Sequence, residues 1–287
     1  MKIGIGLPTV IPSGNSALLL EWARRADACP FSSLTVTDRV AYPNYEPLVT
    51  LAAAAAVTKR IRLMSIIIIA PLRNAGILAK QAASLDALSN GRLTLGLGIG
   101  ARDEDYRAAP ASFEKRGAHF GRQLALMKRA WSGQALAEDV AAVGPNPVQP
   151  GGPELLIGAN APPAVRRLAR WADGYISGGG ASPERAYAGY QQALAAWQAL
   201  GREGKPRFVG SIPCVVGFEA AERAAADIRA YYAYRGATTP TGEDIPSSAN
   251  TIRAAIKSYE AIGMDELILR PHIAELDQIE RLSALVF

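Results

Sequence analysis

The clearest hydrophobic pattern in the chain lies within residues 62–101, where two continuous apolar runs flank an amphipathic segment. In that segment Leu78, Ala82 and Leu85 recur near the 3.6-residue period of an α-helix. Gly91 follows, where a helix commonly ends in a left-handed residue. Because neither apolar run alternates with polar positions, both faces of each predicted strand should be covered, as in a parallel sheet. The pattern therefore predicts a β-α-β unit.

The same alternation of apolar runs and helix-period segments recurs along the whole chain. Eight strands separated by helices favour a (βα)8 TIM barrel that forms a single domain over residues 1–287. A doubly wound open sheet is the alternative, although such sheets usually have fewer strands. The predicted strands are Ile3–Leu7, Ser33–Thr37, two that begin at Arg62 and Arg92, Leu155–Ile157, Gly174–Ser177, Arg207–Val216 and Glu266–Leu269.

Polar or glycine- and proline-rich composition predicts three irregular stretches, at residues 101–117, 133–153 and 235–248. Tyr231, Tyr232 and Tyr234 lead into the last of them. A loop of this length between two barrel strands is typical of a substrate lid, and an ordinary flexible connection is the alternative.

Composition narrows the class of protein further. The 31 basic residues are interspersed with 26 acidic ones, and no Lys/Arg block of the nucleic-acid-binding kind occurs. The net charge of +5 suits an anionic small molecule or simply a solvated surface. Cys29 and Cys214 are far apart and lack metal-ligand spacing. Without a secretory signal or a bilayer-length apolar run, we expect a cytoplasmic protein that binds neither membrane nor nucleic acid.

In a barrel of this type the active site lies where the strands end. Asp38 and Arg39 end the second strand, where they could orient a ligand or form a strand-end ion pair. His272, just beyond the last strand, is a candidate proton donor or hydrogen-bond partner, and His119 could border the same mouth. For both histidines a structural role is an equally good interpretation.

Glycines follow several predicted strands. Residues 96–101 fit the dinucleotide fingerprint, but they lie in the fourth β-α unit, so we expect Gly98 and Gly100 to admit a bulky ligand instead. Two further small-residue loops could bind phosphate through free amides or could be tight turns. These loops are Gly158-Ala159-Asn160 and Gly178-Gly179-Gly180.

The chain shows no nucleophile elbow, HExxH motif or P-loop, and its two histidines make a catalytic metal an unfavourable interpretation. A site without covalent or metal machinery of its own suggests that an organic cofactor carries the chemistry.

Two long segments, residues 70–101 (APLRNAGILAKQAASLDALSNGRLTLGLGIGA) and 153–179 (PELLIGANAPPAVRRLARWADGYISGG), resemble the luciferase-like monooxygenases. This bacterial luciferase superfamily contains flavin-dependent and deazaflavin-dependent oxidoreductases. The opening MKIGIGLP and the SLTVTDRV strand are also similar, so the resemblance covers nearly the whole chain.

The resemblance implies a (βα)8 barrel, commonly homodimeric, with reduced FMN or coenzyme F-420 at the strand ends. It implies a cis peptide at Ile66-Ile67 behind the flavin ring, and phosphate contacts at Gly158, Ala159, Asn160, Gly178 and Gly179. Deazaflavin enzymes of the family often carry Asp-His where this chain has Asp38-Arg39, which favours FMN.

We therefore predict a flavin-dependent monooxygenase that uses FMNH2 from a separate reductase, with Asp38, Arg39 and His272 as its polar catalytic contacts and a small organic molecule as its substrate. Three alternatives stay open. They are F-420-dependent hydride transfer, a non-catalytic flavin-binding protein on this fold, and a cofactor-free lyase or isomerase, against which the scarcity of candidate bases argues.

Overall fold

A computed structural model describes residues 1–11, 14–238 and 245–287, and the elements below are those of this part of the chain. The strands are β1 (Lys2–Gly6), β2 (Ser33–Val36), β3 (Arg62–Ser65), β4 (Ile68–Ile69), β5 (Leu93–Gly98), β6 (Glu154–Ile157), β7 (Gly174–Ile176), β8 (Arg207–Cys214) and β9 (Glu266–Pro271). The helices are α1 (Ser16–Ala28), α2 (Pro47–Val57), α3 (Ala75–Leu88), α4 (Asp103–Ala108), α5 (Arg116–Trp131), α6 (Pro162–Trp171), α7 (Pro183–Ala199), α8 (Phe218–Tyr232), α9 (Ala249–Ala261) and α10 (Asp277–Val286).

The strands close into a parallel barrel. Their order is β3-β2-β1-β9-β8-β7-β6-β5-β4, and β3 also pairs with β5. Leu63 pairs with Leu93 and Ile68 with Leu97, so β3 and β4 are two parts of one barrel strand. The predicted eight-stranded barrel is confirmed, and the open sheet is excluded by this closure.

The interruption between β3 and β4 falls at Ile66-Ile67, whose peptide bond is cis. Facing glycines on β5 make room for it. A Cβ added at Gly96 would lie 2.0 Å from the Ser65 carbonyl oxygen, and one added at Gly98 would lie 2.8 Å from Ile67 Cδ1. The two glycines therefore let β5 run directly against the bulged strand.

Side chains fill the barrel interior in layers. Charged and hydroxyl groups lie at the amino ends of the strands, where Glu154, Arg207 and Glu266 each begin a strand. Above them is an apolar cluster, and the carboxyl end is rich in glycine. The apolar cluster contains Met64, Leu156, Ile176, Val209 and Ile268, with Ile66 and Ile67 packed against it.

Two of the stretches predicted to be irregular are helical in part. Residues 103–108 form α4 rather than loop, because three acidic residues suit a helix amino terminus and Tyr106 packs inward at 2% exposure. In the predicted 235–248 insertion, residues 233–238 continue from α8 as a 3-10 turn, and residues 239–244 lie outside the described residues. The predicted 133–153 connection contains neither helix nor strand.

Among the helices of residues 1–11, 14–238 and 245–287, none is both long enough and apolar enough to cross a bilayer.

Candidate active site

A cavity of about 320 Å³ opens at the carboxyl end of the barrel. Its position is the one expected for a (βα)8 active site. Most of the predicted site residues line it, and Arg39 and His272 do not. The predicted residues in the lining are Asp38, Ile66, Ile67, Gly98, Gly100, Gly158, Ala159, Asn160, Gly178 and Gly179.

One side of the cavity is an apolar wall built by the bulged strand. Ile66, Ile67 and Ile69 belong to the lining. Beside them on the neighbouring chain segment, Gly98 and Gly100 leave room for these isoleucines, because a Cβ at Gly100 would come within 2.9 Å of Ile69 Cγ2. Gly100 also has a φ of +66°, which favours glycine. The glycines thus accommodate the isoleucines of the wall, and the wall itself offers an apolar surface to a ligand.

The loop after β7 presents backbone donors to the cavity. Two hydrogen bonds fix its far side, from Gly180 N to the Ser211 carbonyl at 2.9 Å and from Ala181 N to the Gly178 carbonyl at 3.0 Å. Within the described chain, the amides of Gly178 and Gly179 have no protein acceptor. A Cβ added at Gly178 would meet nothing within 4 Å, so this backbone faces open space.

Arg270, near the end of β9, adds a positive charge to that loop. A Cβ at Gly179 would lie 3.1 Å from Arg270 Nη2, so glycine allows the guanidinium to approach the backbone. Arg270 lines the cavity, and its buried Nε has no hydrogen-bond partner among the described residues. Free amides beside a guanidinium form a suitable site for a phosphate group.

The loop after β6 is the second small-residue loop at the cavity. Gly158, Ala159 and Asn160 line the cavity, but the following helix opens with Pro162 and Pro163, which have no N–H to donate. The next amide, of Ala164, bonds to the Ala161 carbonyl at 2.8 Å. The loop after β7 differs from this loop by the nearby Arg270 guanidinium, which makes the loop after β7 the better-supported anion site.

Asp38 lies at the cavity edge but is already charge-compensated. Its carboxylate accepts hydrogen bonds from Ile69 N at 2.8 Å and from the Arg73 guanidinium at 2.6 and 3.1 Å. Burial acts to lower the pKa of Arg73, but the carboxylates of Asp38 and Glu46 outweigh it and raise that pKa. Asp38 thus anchors the strand that carries the apolar wall, and a catalytic role for it stays a prediction.

The predicted direct contact between Arg39 and a ligand is not supported by its position, because Arg39 is not in the cavity lining. It is 6% exposed, and its Nε donates to Asp105 at 3.0 and 3.2 Å while Nη2 pairs with Glu104. Asp105 also accepts from Val40 N at 2.9 Å. The structure shows the strand-end ion pair: two carboxylates of α4 hold the guanidinium, and Arg39 itself is not in the cavity lining.

The histidines also lie apart from the cavity lining. His272 is 3% exposed and its backbone N–H bonds to the Cys214 carbonyl at 3.3 Å. Burial and the nearby Arg270 charge lower the pKa of His272 to about 3. A neutral imidazole is a poor proton donor near pH 7, and His272 is absent from the cavity lining, so its role in the site stays a prediction. His119 lies on the exposed side of α5.

An aromatic and cationic group forms another part of the lining. Tyr231, Tyr232, Tyr234 and Arg102 all belong to it. The Arg102 guanidinium lies 4.6 Å from the Tyr231 ring centre and 4.0 Å from that of Tyr234. Its Nη2 donates to the Tyr231 carbonyl at 3.0 Å. The tyrosines predicted to lead into a lid therefore line the cavity itself.

Sequence reasoning missed Arg102 and Arg270 as site residues. Arg270 had a usable signal, because side chains alternate along a strand and Ile268, two residues earlier, points into the barrel. Arg102 had a weaker one, as the second residue after the Gly98–Gly100 segment. Within the described residues, no group of three or more His, Cys, Asp or Glu side chains could hold a metal ion.

The protein is a (βα)8 barrel with a cavity at the carboxyl ends of its strands. The chain belongs to the luciferase-like monooxygenase family, whose model matches residues 1–268. This superfamily of oxidoreductases includes flavin monooxygenases and F420-dependent enzymes. Membership of this family supports an enzymatic role for the chain.

A curated relative, an uncharacterized protein of Mycobacterium bovis, is 33% identical over 187 residues, which cover 55% of this chain and 64% of that protein. The match thus spans less than two thirds of the relative's length.

Three solved structures share the fold. Monooxygenase RslO1 of Streptomyces bottropensis has a TM-score of 0.80 at 22% identity, covering 99% of this chain and 97% of that one. The coenzyme F420-dependent tetrahydromethanopterin reductase of Methanopyrus kandleri has a TM-score of 0.79 at 14% identity, covering 100% and 99%. The oxygenating constituent of 3,6-diketocamphane monooxygenase of Pseudomonas putida, in complex with FMN, has a TM-score of 0.74 at 17% identity, covering 100% and 97%.

Proposed function

We propose that this protein is a flavin-dependent monooxygenase that uses FMNH2 and O2 on a small organic substrate. The observation that carries the proposal is the pairing of an anion site with an apolar wall in one cavity. The anion site is formed by the amides of Gly178 and Gly179 with Arg270, and the wall by Ile66 and Ile67.

FMN fits these residues because it joins a flat ring system to a single phosphate. Gly178, Gly179 and Arg270 would hold the phosphate, while the bulged strand and Gly98 would receive the ring. When bound, the flavin supplies the electrons that activate oxygen. The chain's own residues bind and orient it, and the apolar wall keeps water from the reacting face. Asp38 supports this wall through its hydrogen bond from Ile69 N.

F-420-dependent hydride transfer is the second candidate. The barrel is as similar to the F420-dependent reductase of Methanopyrus kandleri as to the monooxygenases, with TM-scores of 0.79 and 0.80. FMN is favoured because Arg39 stands where deazaflavin enzymes of the family often carry histidine. Here that arginine is locked against Asp105 and Glu104.

Titration with FMN, FMNH2 and F-420, followed by oxygen-dependent reoxidation over a substrate panel, tests the proposal. We expect stoichiometric binding of FMNH2 at micromolar concentration and faster reoxidation with a substrate present. Turnover with F-420H2 alone would support the second candidate. Flavin binding without any substrate-dependent reoxidation would indicate a non-catalytic flavin-binding protein. If no cofactor binds, the proposal fails.

Three further features belong to the same proposal. A homodimer and a separate reductase that supplies FMNH2 rest on the family resemblance. A cytoplasmic location rests on the two widely separated cysteines, which suit a reducing compartment. Sedimentation of the purified chain tests the first, and dependence of activity on an added FMN reductase tests the second.

A further inference from the structure

The cavity carries more positive charge than its own carboxylates balance. Within the described chain its lining contains two carboxylates, Asp38 and Asp105, and each is already paired with an arginine that lies outside the lining. Two arginines, Arg102 and Arg270, also line the cavity. Neither has a carboxylate oxygen within 4.0 Å in the described part of the chain. The two uncompensated guanidiniums leave the cavity suited to two anionic groups.

Arg102 and Arg270 lie in different parts of the cavity. Arg270 adjoins the Gly178-Gly179 loop, where we placed the phosphate of the cofactor. Arg102 lies instead over the rings of Tyr231 and Tyr234, at 4.6 and 4.0 Å. Its buried Nε has no partner in the described structure, although nitrogen atoms of arginine are rarely left so.

The neighbouring Arg39 has carboxylate partners, and Arg102 has none among the described residues. Both guanidiniums lie against the Tyr231 ring, Arg39 at 5.6 Å and Arg102 at 4.6 Å. Arg39 is neutralised by Asp105 and Glu104. Among the described residues, the hydrogen bond of Arg102 is the one that its Nη2 donates to the Tyr231 carbonyl oxygen, at 3.0 Å. A partly buried cation without an anionic partner costs free energy. A ligand that brings an anion to Arg102 removes that cost and therefore gains binding free energy.

We propose that Arg102, Tyr231 and Tyr234 form the substrate subsite and select a small carboxylic acid with a planar aromatic or unsaturated body. The carboxylate pairs with Arg102, and the body lies beside the tyrosine rings. This inference rests on the proposed function, because the cofactor phosphate is what occupies Arg270 and leaves Arg102 to the substrate.

Benzoate and benzamide test the subsite, because they have nearly the same shape and differ in charge. Calorimetric titration of the FMN-saturated protein should show benzoate binding about tenfold or more tighter than benzamide, as expected for a charge-assisted hydrogen bond. R102Q should abolish that preference, and R102K should keep part of it. R107Q is the matched control, because Arg107 is an exposed arginine that pairs with Asp103 on α4. It should leave the preference intact.

Equal affinity for the two probes, no benzoate binding at millimolar concentration, or a preference that survives R102Q would each overturn the subsite. Circular dichroism of each variant checks that it is folded, and R102K keeps the test usable if R102Q is not. Repeating the titration without FMN separates this inference from the proposed function. An Arg102-dependent preference in a protein that never binds FMN would refute the flavin proposal and keep the anion subsite.

Discussion

The arginine of the barrel's amino end and the two arginines that line the cavity at its carboxyl end differ in their partners. At the amino end, Glu266 accepts a hydrogen bond from Ser33 at 2.6 Å and pairs with Arg207, which also pairs with Glu154. At the carboxyl end, Arg102 and Arg270 have no carboxylate among the described residues. The charges at the amino end are paired within the protein, whereas at the carboxyl end the two cavity-lining arginines are left without a carboxylate in the described part of the chain, although Arg39 and Arg73 nearby are paired. The difference separates the part of the barrel that stabilises the fold from the part that binds.

Breaking the amino-end network should have the largest effect. Glu266→Ala leaves Arg207 without its most buried partner, since Glu266 is 1% exposed. Removing one member of a buried ion pair typically costs about 3–5 kcal/mol, and we expect a loss of that order in the free energy of unfolding. Chemical denaturation measures it. D103A, which breaks an exposed pair with Arg107, is the control and should cost under about 1 kcal/mol. Similar losses for both variants would contradict the assignment.

Two glycines give a second contrast. At Gly96 an added Cβ would meet the Ser65 carbonyl oxygen at 2.0 Å, whereas at Gly178 it would meet nothing within 4 Å. G96A should lower the unfolding free energy by about 1–3 kcal/mol through overpacking against backbone. G178A should leave stability nearly unchanged while weakening FMN binding, because its methyl group enters the cavity. Thermal denaturation and FMN titration of both variants check this, and an unaffected G96A would refute the packing argument.

At the carboxyl end, Arg270→Gln should weaken binding without weakening the fold. A hydrogen bond to a charged group contributes about 1.5–3 kcal/mol, which corresponds to a loss of roughly 10–100-fold in FMN affinity. Fluorescence titration measures the change, and denaturation of the same variant provides the control. An R270Q protein that binds FMN as tightly as wild type would remove Arg270 from the phosphate site.

The burial of His272 predicts a smaller effect, which is a dependence of the unfolding free energy on pH. Burial and Arg270 lower its folded-state pKa from 6.5 to about 3, so the unfolded chain binds the proton more readily between those values. Stability should therefore fall as pH decreases below 6.5, by about 2 kcal/mol at pH 5 if each pKa unit contributes 1.36 kcal/mol. The difference between wild type and H272Q in unfolding free energy, measured at pH 7 and pH 5, isolates the effect. Parallel pH profiles would contradict it.

The barrel was predictable because hydrophobic periodicity is a local signal. The unit at residues 62–101 showed its strands and helix directly. The α4 helix was missed because it is almost entirely polar and buries mainly Tyr106 and Asp105.

The candidate site was predictable where the backbone forms it and less so where side chains do. Glycines at strand ends lie in the cavity because the barrel places them there. The orientation of Arg39 depends on Asp105 and Glu104, more than sixty residues away, and no local pattern reveals that pairing. Arg270 lies in β9, where the alternation of side chains along the strand directs it to the cavity. His272 lies just after β9 and is buried in the protein away from the cavity lining.

The central claim is that the carboxyl end of the barrel binds a flavin through its phosphate. The most direct test is calorimetric titration of the wild-type protein with FMN and with riboflavin, which lacks only the phosphate. We predict micromolar affinity for FMN and at least about tenfold weaker binding of riboflavin, the loss expected when charge-assisted hydrogen bonds are removed. Equal affinities for the two flavins, or no binding of either, would contradict the account.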